Sequence, residues 1–272
     1  MIETVATAES NRELAEGYLL LTVDLNDDVQ VGAGQFAMVK PLASFEPVLR
    51  RALAVYRVHG PRRVSFLYQV IGSGTSALAR LGRGDKVEAL LPLGNSWTID
   101  DQVSRAIVVA GGIGSASVLM LCERLASSRV ETRILLGAAS ERVAVGCGLE
   151  DFRALGLPLV LTTDDGSLGE KGLITTPLER ELRERGGRAA TIYACGPWAM
   201  MKRVAEIAEQ FNTRCMVSLE APMGCGFGVC VGCVVAMKTD KPLGYGSYKR
   251  VCTDGSIFPA EAIRWEVNAM TH

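Results

Sequence analysis

The chain has 272 residues, 48% of them hydrophobic, and 29 basic side chains against 30 acidic ones leave a formal charge of −1. That length suits two or three small domains, and the near-neutral balance offers no electrostatic footprint for nucleic acid or an anionic membrane surface. With only two histidines, His59 and His272, the chain is poorly equipped for Ser-His-Asp or Cys-His hydrolysis and for His-ligated zinc.

The N-terminus, MIETVATAES, has neither a basic start nor an apolar core, so it does not read as a signal peptide. The longest apolar stretches, such as AIVVAGGIG, fall well short of the roughly 20 residues a membrane helix needs. The expectation is a soluble, cytoplasmic protein with no nucleic-acid or membrane partner.

Residues 1–100 read as short strands. TVATAESNRE, YLLLTVDL, QFAMVKPL, RALAVYRV and RVSFLYQVI are brief, rich in branched or aromatic residues and punctuated by Gly, Pro and Asp-Asp. GRGDKVEALLPLG follows as a turn and a further strand. Strands at this spacing predict a small antiparallel β-barrel.

From about residue 103 the pattern alternates. RAIVVAGGIG is a buried strand entering a glycine turn, and SASVLMLCERLAS a helix. ETRILLGAAS, LPLVLTTDDGS and ATIYACGP are further strands, with LEDFRALG, TTPLERELRERG and PWAMMKRVAEIAEQF as the helices between and after them. Such alternation predicts a doubly wound parallel sheet over 101–213. The remainder, 214–272, is loop-rich and predicts a third, C-terminal module.

That module carries the strongest signal. Of eight cysteines, Cys122, Cys147, Cys195 and Cys215 are scattered, while Cys225, Cys230 and Cys233 form a C-x4-C-x2-C run with Cys252 beyond an intervening hairpin. This is the plant-type spacing for a [2Fe–2S] cluster, in which thiolates hold two irons. Gly226, Gly228 and Gly232 let the backbone adopt positive φ and turn N–H groups toward sulfur. Structural zinc normally shows two C-x2-C knuckles, and here there is one. Disulfides would need an oxidising compartment.

Two further constellations fit nucleotides. Gly111-Gly112-Ile113-Gly114 lies at a strand-to-helix turn, where helix N–H groups can receive a phosphate, although close packing of strand on helix would also call for glycine. Cys195-Gly196-Pro197 ends a later strand of the same sheet, and ligands of open α/β sheets sit beyond the carboxyl ends of the strands. In the first half, Arg51 at a strand start and the Gly74-Thr75 helix entry could both meet a pyrophosphate; Arg51 could equally be a solvated rim charge.

In combination these motifs resemble the ferredoxin–NADP reductase superfamily, most closely the electron-transfer subunits of two-subunit, NAD-linked dihydroorotate dehydrogenases. The resemblance rests on Arg51 to Ala54, Gly74-Thr75, Gly111 to Gly114, Thr163 to Ser167, Cys195 to Pro197, Ser218 through Cys233, and Arg250 to Phe258. It implies a flavin barrel, a nicotinamide-binding sheet and a C-terminal [2Fe–2S] module. It implies FAD held by Arg51, Ala52, Leu53 and Ala54 with Tyr68, Gln69, Val70, Gly74 and Thr75. The cluster would sit on Cys225, Cys230, Cys233 and Cys252. NADH would reduce FAD, and single electrons would pass through the cluster to FMN or another flavin in a catalytic partner subunit of a hetero-oligomer.

Two positions depart from the family pattern. The flavin strand reads Arg51-Ala52-Leu53-Ala54 where Arg-Pro-x-Ser is usual, and Ser117 stands where the nicotinamide turn usually has proline. The small subunit of an NADH-dependent ferredoxin:NADP oxidoreductase shares the expected architecture, but in that relative one cluster ligand is not cysteine. A non-enzymatic redox sensor or zinc protein is the reading from a different class. For the nicotinamide cofactor, Ser140 and Arg142 could hold the 2′-phosphate of NADPH, while Glu141 would repel it and accept a ribose hydroxyl of NADH.

Overall fold

In the computed structural model, which describes residues 1–267 apart from 44, 45, 47, 189, 241 and 243, the N-terminal strands form one curled sheet. They are β1 (Ile2–Ala15), β2 (Tyr18–Asp24), β3 (Phe36–Pro41), β4 (Arg51–Ala54), β5 (Arg57–Gly60), β6 (Arg63–Gln69) and, after helix α1 (Ser73–Ala79), β7 (Lys86–Leu93). Their order is β4-β3-β7-β1-β2-β6-β5, antiparallel throughout. Alternate residues turn inward, so Ala6, Ala8, Leu21, Val23, Val64, Phe66, Val87 and Ala89 fill one core.

RALAVYRV, expected as one strand, is two, and they lie at opposite edges of the sheet. The Val55 N–H donates to the Gln35 carbonyl at 3.0 Å, continuing the β3 edge, and the Tyr56 N–H to the Ser65 carbonyl at 2.8 Å, on the β6 edge. Adjacent residues can serve both edges only because the sheet curls until its edges meet. The segment is a seam in which one strand changes partner.

The second sheet comprises β8 (Arg105–Gly111), β9 (Glu131–Ala138), β10 (Leu159–Thr163), β11 (Glu170–Lys171), β12 (Ala190–Cys195), β13 (Arg214–Ser218) and β16 (Ile257–Pro259). Helices α2 (Leu119–Ala126), α3 (Glu141–Gly146), α4 (Leu149–Arg153), α5 (Thr175–Arg185) and α6 (Trp198–Gln210) connect its strands. The order is β11-β10-β9-β8-β12-β13-β16, parallel except for β16. Both faces are buried. Ile107, Val109, Ile192 and Ala194 pack on α5 and α6 through Leu178, Leu182, Val204 and Ile207. Ala106, Val108, Ile134 and Tyr193 pack on α2 and α4 through Leu119, Leu121 and Phe152. Each fully buried aliphatic side chain contributes about 1.5–3 kcal/mol.

This sheet runs past residue 213. β13 is a full member, and β16, far along in the cysteine-bearing segment, returns to pair with it at Met216, Val217 and Ser218. Between them β14 (Val234–Ala236) and β15 (Tyr248–Arg250) form the hairpin that separates Cys233 from Cys252. Barrel and sheet are tied together by polar contacts. Tyr56 Oη donates to Asp151 at 2.6 Å, and Arg57 reaches Glu123 at 2.6 Å and Asp151 at 2.9 Å. Trp97 Nε1 donates to the Ser117 carbonyl at 2.8 Å. His59 sits within 3.1 Å of Ser65 Oγ on the barrel surface, and His272 lies outside the described residues.

Candidate functional site

In the sheet order, β9 and β10 extend to one side of β8, and β12 and β13 to the other. The carboxyl ends of β8 and β12 therefore mark the topological switch point, where open α/β sheets bind ligands. The two expected glycine turns meet there. A β-carbon on Gly114 would lie 2.6 Å from the Cys195 carbonyl group, and one on Gly111 would lie 2.5 Å from Met200 Sδ. Close packing thus accounts for both glycines. Gly112 differs: its φ is +53° and the space beside it is open.

Between this switch point and the barrel lies a cleft of about 820 Å³. Arg51, Ala52, Leu53, Ala54, Tyr68, Gln69, Gly74 and Thr75 line it from the barrel, and Ile113, Gly196 and Pro197 from the sheet. Val70, Gly111, Gly112, Gly114 and Cys195 are not among the residues that line it. Val70 packs on the barrel core and gives its N–H to the Gly17 carbonyl at 2.8 Å. Cys195 is fully buried, which raises its thiol, and Ser117 and Ser218 hydroxyls stand beside it.

The cleft also has walls that were not assigned as cofactor residues from sequence: Phe36, Ser117, Trp198, Ser218, Glu220, Met223 and Ser256. Ser218 and Glu220 belong to a recognisable run, but nothing in a lone Ser-Leu-Glu signals which groups face a cleft. Trp198 packs against Trp265 from the C-terminal segment, ring centroids 4.8 Å apart and planes tilted by 55°, a contact only tertiary structure creates.

At the barrel end, the Arg51 guanidinium lies so close over Gly74 that any β-carbon there would collide with Nε at 1.8 Å. The Arg51 Nη1 group donates to the Leu49 carbonyl at 2.9 Å, and among the described residues Arg51 has no carboxylate partner. Its neighbour Arg50 is the one tied down, to Glu3 and Glu88. Thr75 Oγ1 accepts the Ile71 and Gly72 N–H groups at 2.9 and 3.2 Å, and the first helical bond is Ser76 N–H to the Gly72 carbonyl. The Ser73, Gly74 and Thr75 amides are thus left at the open end of α1 beside an unpaired guanidinium. Such a cradle fits a pyrophosphate.

The cysteine loop lies against the barrel. Gly226, at φ +82°, packs so tightly that a β-carbon would stand 2.4 Å from Met38 Cγ, and Gly228, at φ +90°, packs on Thr253. Gly232, expected to share this conformation, does not. Its neighbour Val231 takes the positive φ instead, at 55°, an uncommon state for a branched residue.

The four thiols fall into two pairs. The Cys230 N–H points at Cys225 Sγ from 3.5 Å. Burial raises the Cys225 thiol, but the N–H groups of Cys230, Phe227 and Val229 and the Cys230 thiol outweigh it and bring it down to about 6. Cys252 is pushed up to about 12 by burial and by the adjacent Cys233, against a Gly228 N–H that lowers it. Among the described residues, no three Cys, His, Asp or Glu side chains converge on a point as one metal ion requires. Two thiol pairs ringed by backbone N–H donors fit a two-iron cluster, with two thiolates per iron, better than a single tetrahedral zinc.

Residues 220–264 match the iron-sulfur cluster binding domain of dihydroorotate dehydrogenase B. Over 86% of its length the chain is 36% identical to the electron transfer subunit of dihydroorotate dehydrogenase B (NAD(+)) from Desulforamulus reducens, covering 87% of that protein. It is 35% identical over 93% of its length to the same subunit from Caldanaerobacter subterraneus, covering 95% of it. The chain belongs to the family of dihydroorotate dehydrogenase B electron transfer subunits. Among solved structures, that of an NADH-dependent reduced ferredoxin-NADP oxidoreductase, which concerns flavin-based electron bifurcation, superposes with a TM-score of 0.82 at 25% identity, over 96% of this chain and 90% of that one. As a member of the family the chain is a flavin and iron–sulfur oxidoreductase subunit with a reductase-type fold, and no described helix is long and apolar enough to cross a membrane.

Proposed function

We propose that this chain carries electrons between NADH and a flavin in a catalytic dihydroorotate dehydrogenase subunit, by way of FAD and a [2Fe–2S] cluster, within a cytoplasmic hetero-oligomer. The observation that carries this reading is the adjacency of cleft and cluster loop. Gly226 is packed on Met38 of β3, and Phe36 of the same strand lines the cleft. Cluster and flavin would thus be neighbours across one layer of side chains.

In this reading residues 1–100 hold FAD, with Arg51 and the α1 amides on the pyrophosphate and Ala52, Leu53, Ala54, Tyr68 and Gln69 along the flavin. The sheet, continued through β13, presents Ile113 and Gly196-Pro197-Trp198 to the nicotinamide. Cys225 and Cys230 would hold one iron, and Cys233 and Cys252 the other. Bound FAD takes two electrons as a hydride and releases them singly, a conversion no side chain performs. The chain's own part is to orient the rings, to keep bulk water from the buried Cys233–Cys252 side and to aim N–H groups at sulfur, which tunes its potential. The relatives' name carries NAD(+), and the same centres serve flow in either direction.

The ribose rim favours NADH. Arg142 is drawn aside, donating to the Glu16 carbonyl at 3.1 Å and pairing with its carboxylate at 3.6 Å. Ser140 is occupied as the cap of α3, and Ser167 links the Asp165 carboxylate to the Glu141 N–H.

The partner surface would be the cluster loop. Cys230 is exposed there, rimmed by the exposed apolar side chains of Phe227, Val229 and Val231. The small-subunit role in an NADH-dependent ferredoxin:NADP oxidoreductase is the second reading, favoured by the structural match of that protein. Four paired cysteine thiols favour the dihydroorotate type.

The test is spectroscopic and analytical. Purified protein should show flavin bands over a broad iron–sulfur shoulder, and the dithionite-reduced form a rhombic electron-spin resonance signal of one cluster per chain. About one zinc and no iron per chain would sink the assignment.

A further inference from the structure

The proposed electron path leaves a proton unaccounted for. When NADH gives up a hydride, a C–H bond of the nicotinamide breaks and an N–H bond forms on the flavin. Two electrons and one proton arrive together. The cluster then takes only electrons, one at a time, and the partner's oxidised flavin receives them. One proton per NADH is left in the cleft and must leave by another route; in the reverse direction one must be supplied.

The side chains facing the cleft narrow the choice. Those that are charged or titratable are Arg51 from β4, Tyr68 from β6 and Glu220 after β13. Arginine stays protonated throughout the working range. Tyr68 is buried, its hydroxyl donates to Asn11 Oδ1 at 3.1 Å, and burial pushes it up to about 12. Behind the wall Cys195 is fully buried, with its thiol raised by burial and by the Glu220 charge. Glu220 remains.

Its setting suits the task. Protein surrounds Glu220, yet its side chain is exposed, because what it is exposed to is the cleft. No hydrogen bond or ion pair with a described residue engages its carboxylate, and enclosure raises it above the ordinary glutamate range. A carboxylate held in a concave site without a protein partner is placed to meet a donor on a ligand. It also stands where the cleft wall runs into the cluster loop, five residues before Cys225.

Resting on the electron-transfer reading above, we propose that Glu220 is the proton carrier of the flavin site, taking the proton that the hydride leaves behind and passing it to solvent through the open mouth of the cleft. In the reverse direction it delivers that proton. The N–H bond on the flavin breaks as the electrons depart, an O–H bond forms on Glu220, and water removes the proton.

The experiment compares wild type with Glu220→Gln, which keeps the shape and loses the titration, in the FAD- and cluster-loaded protein assembled with its partner subunit. Flavin midpoint potential is followed against pH by spectroelectrochemistry, and flavin reduction and reoxidation by anaerobic stopped flow. Wild type should show a bend in the potential–pH curve that Glu220→Gln lacks. Reoxidation in Glu220→Gln should slow about tenfold or more, as for loss of a positioned acid–base group. Identical potential–pH curves and identical reoxidation rates would overturn the proposal. Should Glu220→Gln shed flavin, the measurements are made in excess FAD and alongside Glu220→Asp. An Asp variant that loads FAD and keeps the bend supports the proposal, and one that loads FAD without the bend overturns it. A wild type that holds no FAD, or whose flavin NADH does not bleach, would instead sink the electron-transfer reading.

Discussion

Two adjacent arginines show how far a residue can be read without its neighbours. Arg50 and Arg51 are equivalent in sequence, but Arg50 is spent on Glu3 and Glu88, while Arg51 lies over Gly74 with no carboxylate to hold it. Arg51→Ala should weaken FAD binding about 10- to 100-fold, the worth of one charge-assisted hydrogen bond of about 1.5–3 kcal/mol. Flavin retained per chain through gel filtration checks this, and full retention would make Arg51 a rim charge. The glycines of the cysteine run were only partly legible. Gly226 and Gly228 take the expected positive φ, whereas Val231 rather than Gly232 takes it further on. Gly226→Ala combines a left-handed backbone with a 2.4 Å approach to Met38, so it should cost about 1–3 kcal/mol and lower the iron content of the purified protein.

At the scale of elements, periodicity found the long pieces and missed the connections. The strands β8, β9, β10 and β12 and helices α5 and α6 stand where the pattern put them, since their burial is written in runs or faces of apolar residues. RALAVYRV carries no Gly or Pro between Ala54 and Arg57 to mark its change of partner, and the break is visible only in the hydrogen bonds to opposite edges. β16 is three residues long and gains its place from Asn95. That side chain donates to the Ile257 carbonyl and accepts the Ile257 N–H, each at 2.9 Å, while the Asn95 backbone N–H donates to the Gly255 carbonyl at 2.6 Å. One residue from the barrel's exit thus pins the segment that follows Cys252. Asn95→Ala removes two side-chain bonds of about 1 kcal/mol each, so Tm should fall by a few degrees. It should also loosen the Cys252 side of the cluster, read as a broadened electron-spin resonance signal. Unchanged Tm and line shape would mean that β13 alone holds the strand.

For the whole molecule, the order barrel, sheet, cysteine module was legible, but its last division was not a clean cut in the chain. β13 begins at Arg214 inside the segment read as the module, and β16 brings the end of that segment back to the same sheet. The cluster loop is an excursion between two strands of one sheet, clamped at both ends and pressed on the barrel by Gly226. A loop held that way presents Cys230 at a fixed place on the surface, with Phe227, Val229 and Val231 around it. This geometry separates two functions that can be removed independently. Cys230→Ser should leave NADH reduction of FAD close to wild type, because the cleft is untouched, but cut transfer to the partner's flavin. Wild-type transfer from a cluster-deficient complex would exclude the wire. Val229→Asp should spare the cluster and remove the docking instead. Its side chain is 72% exposed while its backbone N–H faces Cys225, so a carboxylate there leaves the cluster's donors in place and charges the apolar rim. Iron content, electron-spin resonance signal and NADH–ferricyanide turnover should match wild type. Affinity for the catalytic subunit, measured by titration calorimetry, should fall about tenfold or more, since an unpaired charge buried at an interface costs several kcal/mol. If Val229→Asp binds the partner as tightly as wild type, the docking face lies elsewhere and the exposed rim around Cys230 has no part in it.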